Sequence, residues 1–94
     1  TREAYEEWAR EVDLPTVRGL ESVERFDAYR VCGALGSSEP PPYQYAEVID
    51  VRDMSRFGSE IATAQMRAVA ARFSELADAC FLLTEPVAGA ESGE

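Results

Sequence analysis

The chain contains no histidine, no lysine and no asparagine. Without histidine, a single chain holds no Ser-His or Cys-His nucleophile system and no imidazole metal site. Without lysine there is no Schiff base and no attachment point for pyridoxal. Acid–base chemistry is left to Asp, Glu, Tyr, Cys or water. There are two cysteines, Cys32 and Cys80, each in an apolar, strand-like run. Both read as buried free thiols. Nothing supports a disulfide, and the expected compartment is the cytoplasm. No apolar run approaches the ~20 residues that a membrane span requires. The first residues show no signal-peptide pattern.

All nine basic residues are arginines, against eighteen acids, giving a formal charge of −9. A nucleic-acid partner is not expected, because phosphate contacts need a basic surface. The acidity reads most simply as a solubility feature. An apolar fraction of 46% excludes general disorder. Ninety-four residues make one small domain, which buries roughly 60–65% of its unfolded surface. Its core is therefore thin, and a second subunit would add to it. Residues 1–87 are read as the domain and residues 88–94 as a frayed acidic tail.

The most informative stretch is Pro40-Pro41-Pro42-Tyr43-Gln44-Tyr45-Ala46-Glu47-Val48-Ile49-Asp50-Val51. Three prolines forbid helix and lead into a β-branched run. Strand alternation puts Tyr43, Tyr45, Glu47, Ile49 and Val51 on one side. A carboxylate on such a face must be paired, protonated or functional.

Tyr5, Trp8, Ala9 and Val12 follow helical spacing, with Thr1 as N-cap. Asp13-Leu14-Pro15 is expected to break this helix, with Asp13 capping a short second one. Residues 22–35 form a strand candidate with neither face cleanly apolar, and a Gly/Ser/Pro loop leads to the strand at 43–51. Asp53 and Thr63 are placed to cap two helices; Met66, Val69, Ala70, Phe73, Leu76 and Ala77 mark the core stripe of the second. Cys80-Phe81-Leu82-Leu83-Thr84 reads as a short final strand. The order is helix, strand, strand, helix, strand. One further strand before Thr1 would complete the α+β, ferredoxin-like split βαβ arrangement, so a first strand is expected to be missing from the sequence.

Tyr5-Glu6-Glu7-Trp8, Asp13-Leu14-Pro15, Ser22-Val23, Tyr29-Arg30, Pro42-Tyr43-Gln44-Tyr45-Ala46-Glu47-Val48, Phe73 and Phe81-Leu82-Leu83-Thr84-Glu85 together resemble the RedY-like family, named from prodiginine pigment clusters. The resemblance covers roughly residues 2–87 and implies a dimeric α/β barrel, in which two ferredoxin-like subunits pack sheet against sheet. It further implies a homodimer and a tailoring enzyme that needs no metal and no organic cofactor. Such an enzyme would act on a small aromatic, hydrophobic ligand of pyrrole or indole type.

Glu47 is the first candidate for proton transfer; its structural alternative is an ion pair with Arg30 across the hairpin. Asp13 is the second, against a simple N-cap role. Tyr45, Tyr43, Trp8 and Arg30 are candidates for ligand binding: the tyrosines by hydrogen bonding or stacking, Trp8 as a pocket wall, Arg30 by stabilising an anion. Dehydration, condensation or cyclisation suits these groups. A cofactor-free monooxygenase of an electron-rich ring, a non-catalytic carrier of a hydrophobic metabolite, and an acidic protein-interaction domain are the rival classes.

Overall fold

The computed structural model describes residues 1–87, and the expected tail at 88–94 lies outside the described residues. Helix α1 (Arg2–Trp8) starts at Thr1, whose hydroxyl accepts from the Ala4 backbone N–H at 3.1 Å. The expected break at 13–15 does not occur. The chain instead widens into a π-helical turn (Ala9–Asp13), in which the Leu14 N–H bonds to the Ala9 carbonyl, and continues as α2 (Leu14–Arg18). Pro15 has no N–H to give and its ring crowds the preceding turn, and the wider turn absorbs both effects. Asp13 consequently stays helical (φ −64°, ψ −56°) and makes no capping bond. A side chain caps only from an extended backbone.

Strands β1 (Val23–Arg30) and β2 (Tyr45–Val51) form a two-stranded antiparallel sheet. Phe26 faces Ile49, Ala28 faces Glu47 and Arg30 faces Tyr45. The first strand is shorter than the expected 22–35, and an irregularity between Val23 and Arg25 shifts its phase. Glu24 is the extra residue, so Val23 and Phe26 are both buried although three apart. This phase shift explains why neither face reads as apolar in the sequence. Gly36, at φ +80°, turns the connecting loop.

Helices α3 (Met54–Ile61) and α4 (Ala64–Leu76) begin at the expected caps, Asp53 and Thr63. Two apolar clusters hold the layers together. One joins Val17, Val23, Phe26 and Met66; the other joins Tyr5, Trp8 and Ala9, with Phe73 and Leu76 packed against it. Ser22 fixes α3 to the start of β1, since its hydroxyl (2.6 Å) and its backbone N–H (3.1 Å) both donate to Glu60. Hydrogen bonding by Ser22 holds the Glu60 carboxyl below its ordinary value.

The expected strand Cys80–Thr84 is absent: residues 77–86 have no regular secondary structure. A β-prone run becomes a strand only when a neighbour satisfies its N–H and C=O groups, and the described sheet offers it none. Phe81 touches Phe73 (ring centroids 6.0 Å apart), while Leu82 and Leu83 lie open to solvent. The reading of Cys32 and Cys80 as buried is corrected as well, because both are exposed free thiols. The runs that carry them pack against little. No helix among the described residues is long and apolar enough to cross a membrane.

Phe26, at 2% exposure, is the centre of the first cluster. Phe26→Ala is expected to cost about 3–5 kcal/mol, enough to unfold much of a small domain. Ser22→Ala should cost less. Urea denaturation followed by far-UV circular dichroism ranks the two; a smaller loss from Phe26→Ala than from Ser22→Ala would contradict this packing.

Candidate functional site

The helical spacing of Tyr5, Trp8 and Ala9 turns all three inward, where they are buried against Tyr45 of β2 and Phe73 and Leu76 of α4. Tyr5 lands over β2, and its hydroxyl donates a short hydrogen bond to Glu47 Oε2. The cross-strand partner of Glu47 is Ala28, whose small side chain adds little bulk beside this contact. Burial, then the hydrogen bond to Glu47, raises the Tyr5 phenol well above its ordinary value. It therefore stays protonated at neutral pH and acts as a donor.

The π turn ends on Asp13, which is only 6% exposed. Burial first, and then the charge of Glu47, pushes its carboxyl up to about 7. A carboxyl in this range gains and loses a proton readily at physiological pH. Tyr5 also feels the Asp13 charge, so Tyr5, Glu47 and Asp13 form one electrostatically linked group.

A second network sits beside it. The Nε and Nη2 of Arg30 donate to Glu6 at 2.8 and 2.6 Å, and the Tyr45 hydroxyl donates to Glu6 Oε2 at 2.6 Å. These hydrogen bonds, that of Arg30 foremost, hold the Glu6 carboxyl at about 2. Arg2 reaches the Tyr45 hydroxyl at 3.5 Å. The alternative for Glu47, an ion pair with Arg30 or another arginine, is not formed among the described residues. Arg30 faces Tyr45 in the ladder, two residues beyond Glu47, and reaches up to α1 instead.

Between the two networks lies an open groove of about 160 Å³, lined among others by Tyr5, Glu6, Tyr45 and Arg30. Tyr5 and Tyr45 lie with ring centroids 4.5 Å apart. Of the six residues singled out from the sequence, Tyr45 and Arg30 line this groove. Glu47 meets it only through Tyr5, and neither Glu47 nor Asp13 is in its wall. Trp8 packs behind Tyr5 against Phe73, with centroids 6.2 Å apart. Tyr43 is exposed and lies away from the groove. From the sequence Tyr5 reads only as part of the helix's apolar spacing and Glu6 is not singled out, so both were missed. The available signal was the need of Glu47 for a donor on the facing helix. Among the described residues, no group of three or more Cys, Asp or Glu is placed to hold a metal ion.

The family model for REDY-like protein HapK matches residues 1–87. The chain belongs to the REDY-like HapK family. The crystal structure of HapK from Hahella chejuensis superposes with a TM-score of 0.67 at 31% identity, covering 94% of this chain and 86% of that one. No curated protein matches. Membership in the REDY-like family associates the chain with secondary metabolism. The α+β architecture holds, with helices over a two-stranded antiparallel sheet.

The Asp13 carboxyl keeps its proton up to about pH 7 in the folded chain but releases it near 3.8 when unfolded. The folded state thus binds more protons across this window, and the Asp13 contribution to stability falls as pH rises from about 4 to about 7. Glu6 acts in the opposite sense, and only as pH falls from about 4.5 toward 2. Asp13→Asn is expected to remove the decline between pH 4 and 7. It should stabilise the protein by about 2 kcal/mol at pH 8, a value reduced for partial solvent contact. Urea midpoints measured from pH 4.5 to 8 check this; an unchanged slope in the variant would show that Asp13 does not titrate in that range.

Proposed function

We propose that this protein is a tailoring enzyme of secondary metabolism that moves protons on an aromatic intermediate of pyrrole or indole type, without a metal or an organic cofactor. The observation that carries this reading is the linked group of Tyr5, Glu47 and Asp13 beside a groove walled by tyrosine rings. Two carboxyl groups in coupled but different surroundings divide acid and base roles. Glu47, held as an acceptor, takes a proton. Asp13, whose carboxyl titrates at about 7, returns one. Glu47 lies behind the groove wall, so a pyrrole or indole N–H meets the Tyr5 hydroxyl, which passes its own proton to Glu47 along the bond they share as it takes one from the ring. Tyr45 then stacks on the ring, and Arg30 with Glu6 keeps Tyr45 in place. Dehydration, condensation or cyclisation needs no more than this. Cofactor-free oxygenation uses the same groove if the substrate itself supplies the electrons.

The Tyr5–Glu47 bond also favours a second reading, a carrier in which Glu47 is paired and inert. Glu47→Gln separates the two. Pyrrole-2-carbaldehyde and indole-3-carbaldehyde serve as probes, with binding followed by calorimetry and proton exchange into D₂O by mass spectrometry. For an enzyme, Glu47→Gln and Asp13→Asn should slow exchange by about 10²–10⁴ while binding changes a few-fold. Equal exchange rates with and without protein would favour the carrier.

Oligomeric state belongs to the same proposal. Two such subunits pack sheet against sheet as a dimeric barrel of ferredoxin-like halves. The exposed Tyr29 and Val48 on the outer sheet face support this, as does Leu83 at 90% exposure. Apolar area of this kind is unusual on a monomer. Light scattering should give twice the chain mass, and Val48→Glu should shift it toward the monomer. A wild-type protein that stays monomeric at 100 μM, a concentration on the order of those where weak dimers form, would remove the barrel.

A further inference from the structure

We infer that Arg10 anchors a carboxylate substituent on the ligand, so that the molecule bound in the groove is an aromatic acid. This rests on the proposal above that the groove takes an aromatic ring. The chain has twice as many acids as bases, and most of its arginines are committed. Arg18, Arg25, Arg30, Arg56 and Arg72 are in ion pairs, and Arg52 donates to backbone carbonyls.

Arg10 lines the groove and has no carboxylate within ion-pair distance among the described residues. Its natural partner is Glu6, four residues earlier on the same helical run. Glu6 turns instead to the sheet: the Arg30 fork uses Oε1 and Oε2, and the Tyr45 hydroxyl shares Oε2. A second guanidinium thus stands at the wall of the same groove without a carboxylate partner among the described residues. Ala9, Leu14 and Ala28 give that wall an apolar surface for a ring. A planar guanidinium beside an apolar surface and two aromatic rings selects a flat ligand bearing a carboxylate, which it grips with two parallel hydrogen bonds. An ammonium at the same place would be repelled, and a neutral acceptor would gain the weaker hydrogen bond of an uncharged partner.

The test compares indole-2-carboxylate with indole-2-carboxamide, which have nearly the same shape, by calorimetry on the full chain. The wild type should bind the acid at least tenfold more tightly than the amide. Arg10→Gln, at an exposed helical position that should not disturb folding, should reduce this preference to threefold or less. Arg67→Gln, on α4 and away from the groove, should leave the preference intact. Equal affinity for acid and amide, or a preference that survives in Arg10→Gln, would overturn the assignment of Arg10 while leaving an aromatic-ligand site standing. If neither compound binds, the groove itself is not a ligand site, and both proposals fall.

Discussion

The hydrogen bond between the Tyr5 hydroxyl and Glu47 joins the first helix to the sheet, and most of what is distinctive in this molecule follows from it. Glu47 projects from the inner side of β2, where an unpartnered carboxylate is costly. The phenol supplies the partner and is itself locked in the protonated state by doing so. The charge that remains on Glu47 then acts on Asp13, already buried at the end of the π turn, and helps keep a proton on it. Removing Glu47 would therefore change two other groups as well as its own.

The Arg30–Glu6–Tyr45 network works differently. Glu6 lies near the surface, and its low value comes from directed hydrogen bonds that outweigh burial. Such an exposed pair adds little to stability. Its consequence is positional, because it holds the Tyr45 ring beside Tyr5 and keeps Glu6 away from Arg10. One network links three titratable groups, and the other orients the Tyr45 ring. The two meet where the Tyr5 and Tyr45 rings lie 4.5 Å apart.

The π turn is the backbone feature that makes this possible. Pro15, in the first turn of α2, cannot give the N–H that an unbroken α-helix would need there, and the chain accommodates it by widening the turn before it rather than breaking. The wider turn keeps Asp13 helical and inward, where a true break would have freed it to cap α2 at the surface. A local backbone constraint of one proline thereby bears on whether this carboxyl is a surface cap or a buried group.

Much of this was legible in the residues. The spacing of Tyr5, Trp8 and Ala9, the caps at Thr1, Asp53 and Thr63, and the alternation around Glu47 depend on neighbours a few positions away, and local geometry settles them. The same is true of the chemistry that missing histidine and lysine rule out. Three features were not legible. The extra residue in β1 appears only when the strand is paired. The choice of Glu6 over Glu47 by Arg30 depends on where the helix crosses the ladder. The run 80–84 has every local sign of a strand but lacks a neighbour in the described sheet. Each depends on groups far apart in sequence meeting in space, and periodicity carries no information about that. The amino-acid order thus set which elements form and which chemistries are open to them, while long-range packing determined which side chains share a hydrogen bond and so which carboxyl holds a proton at neutral pH.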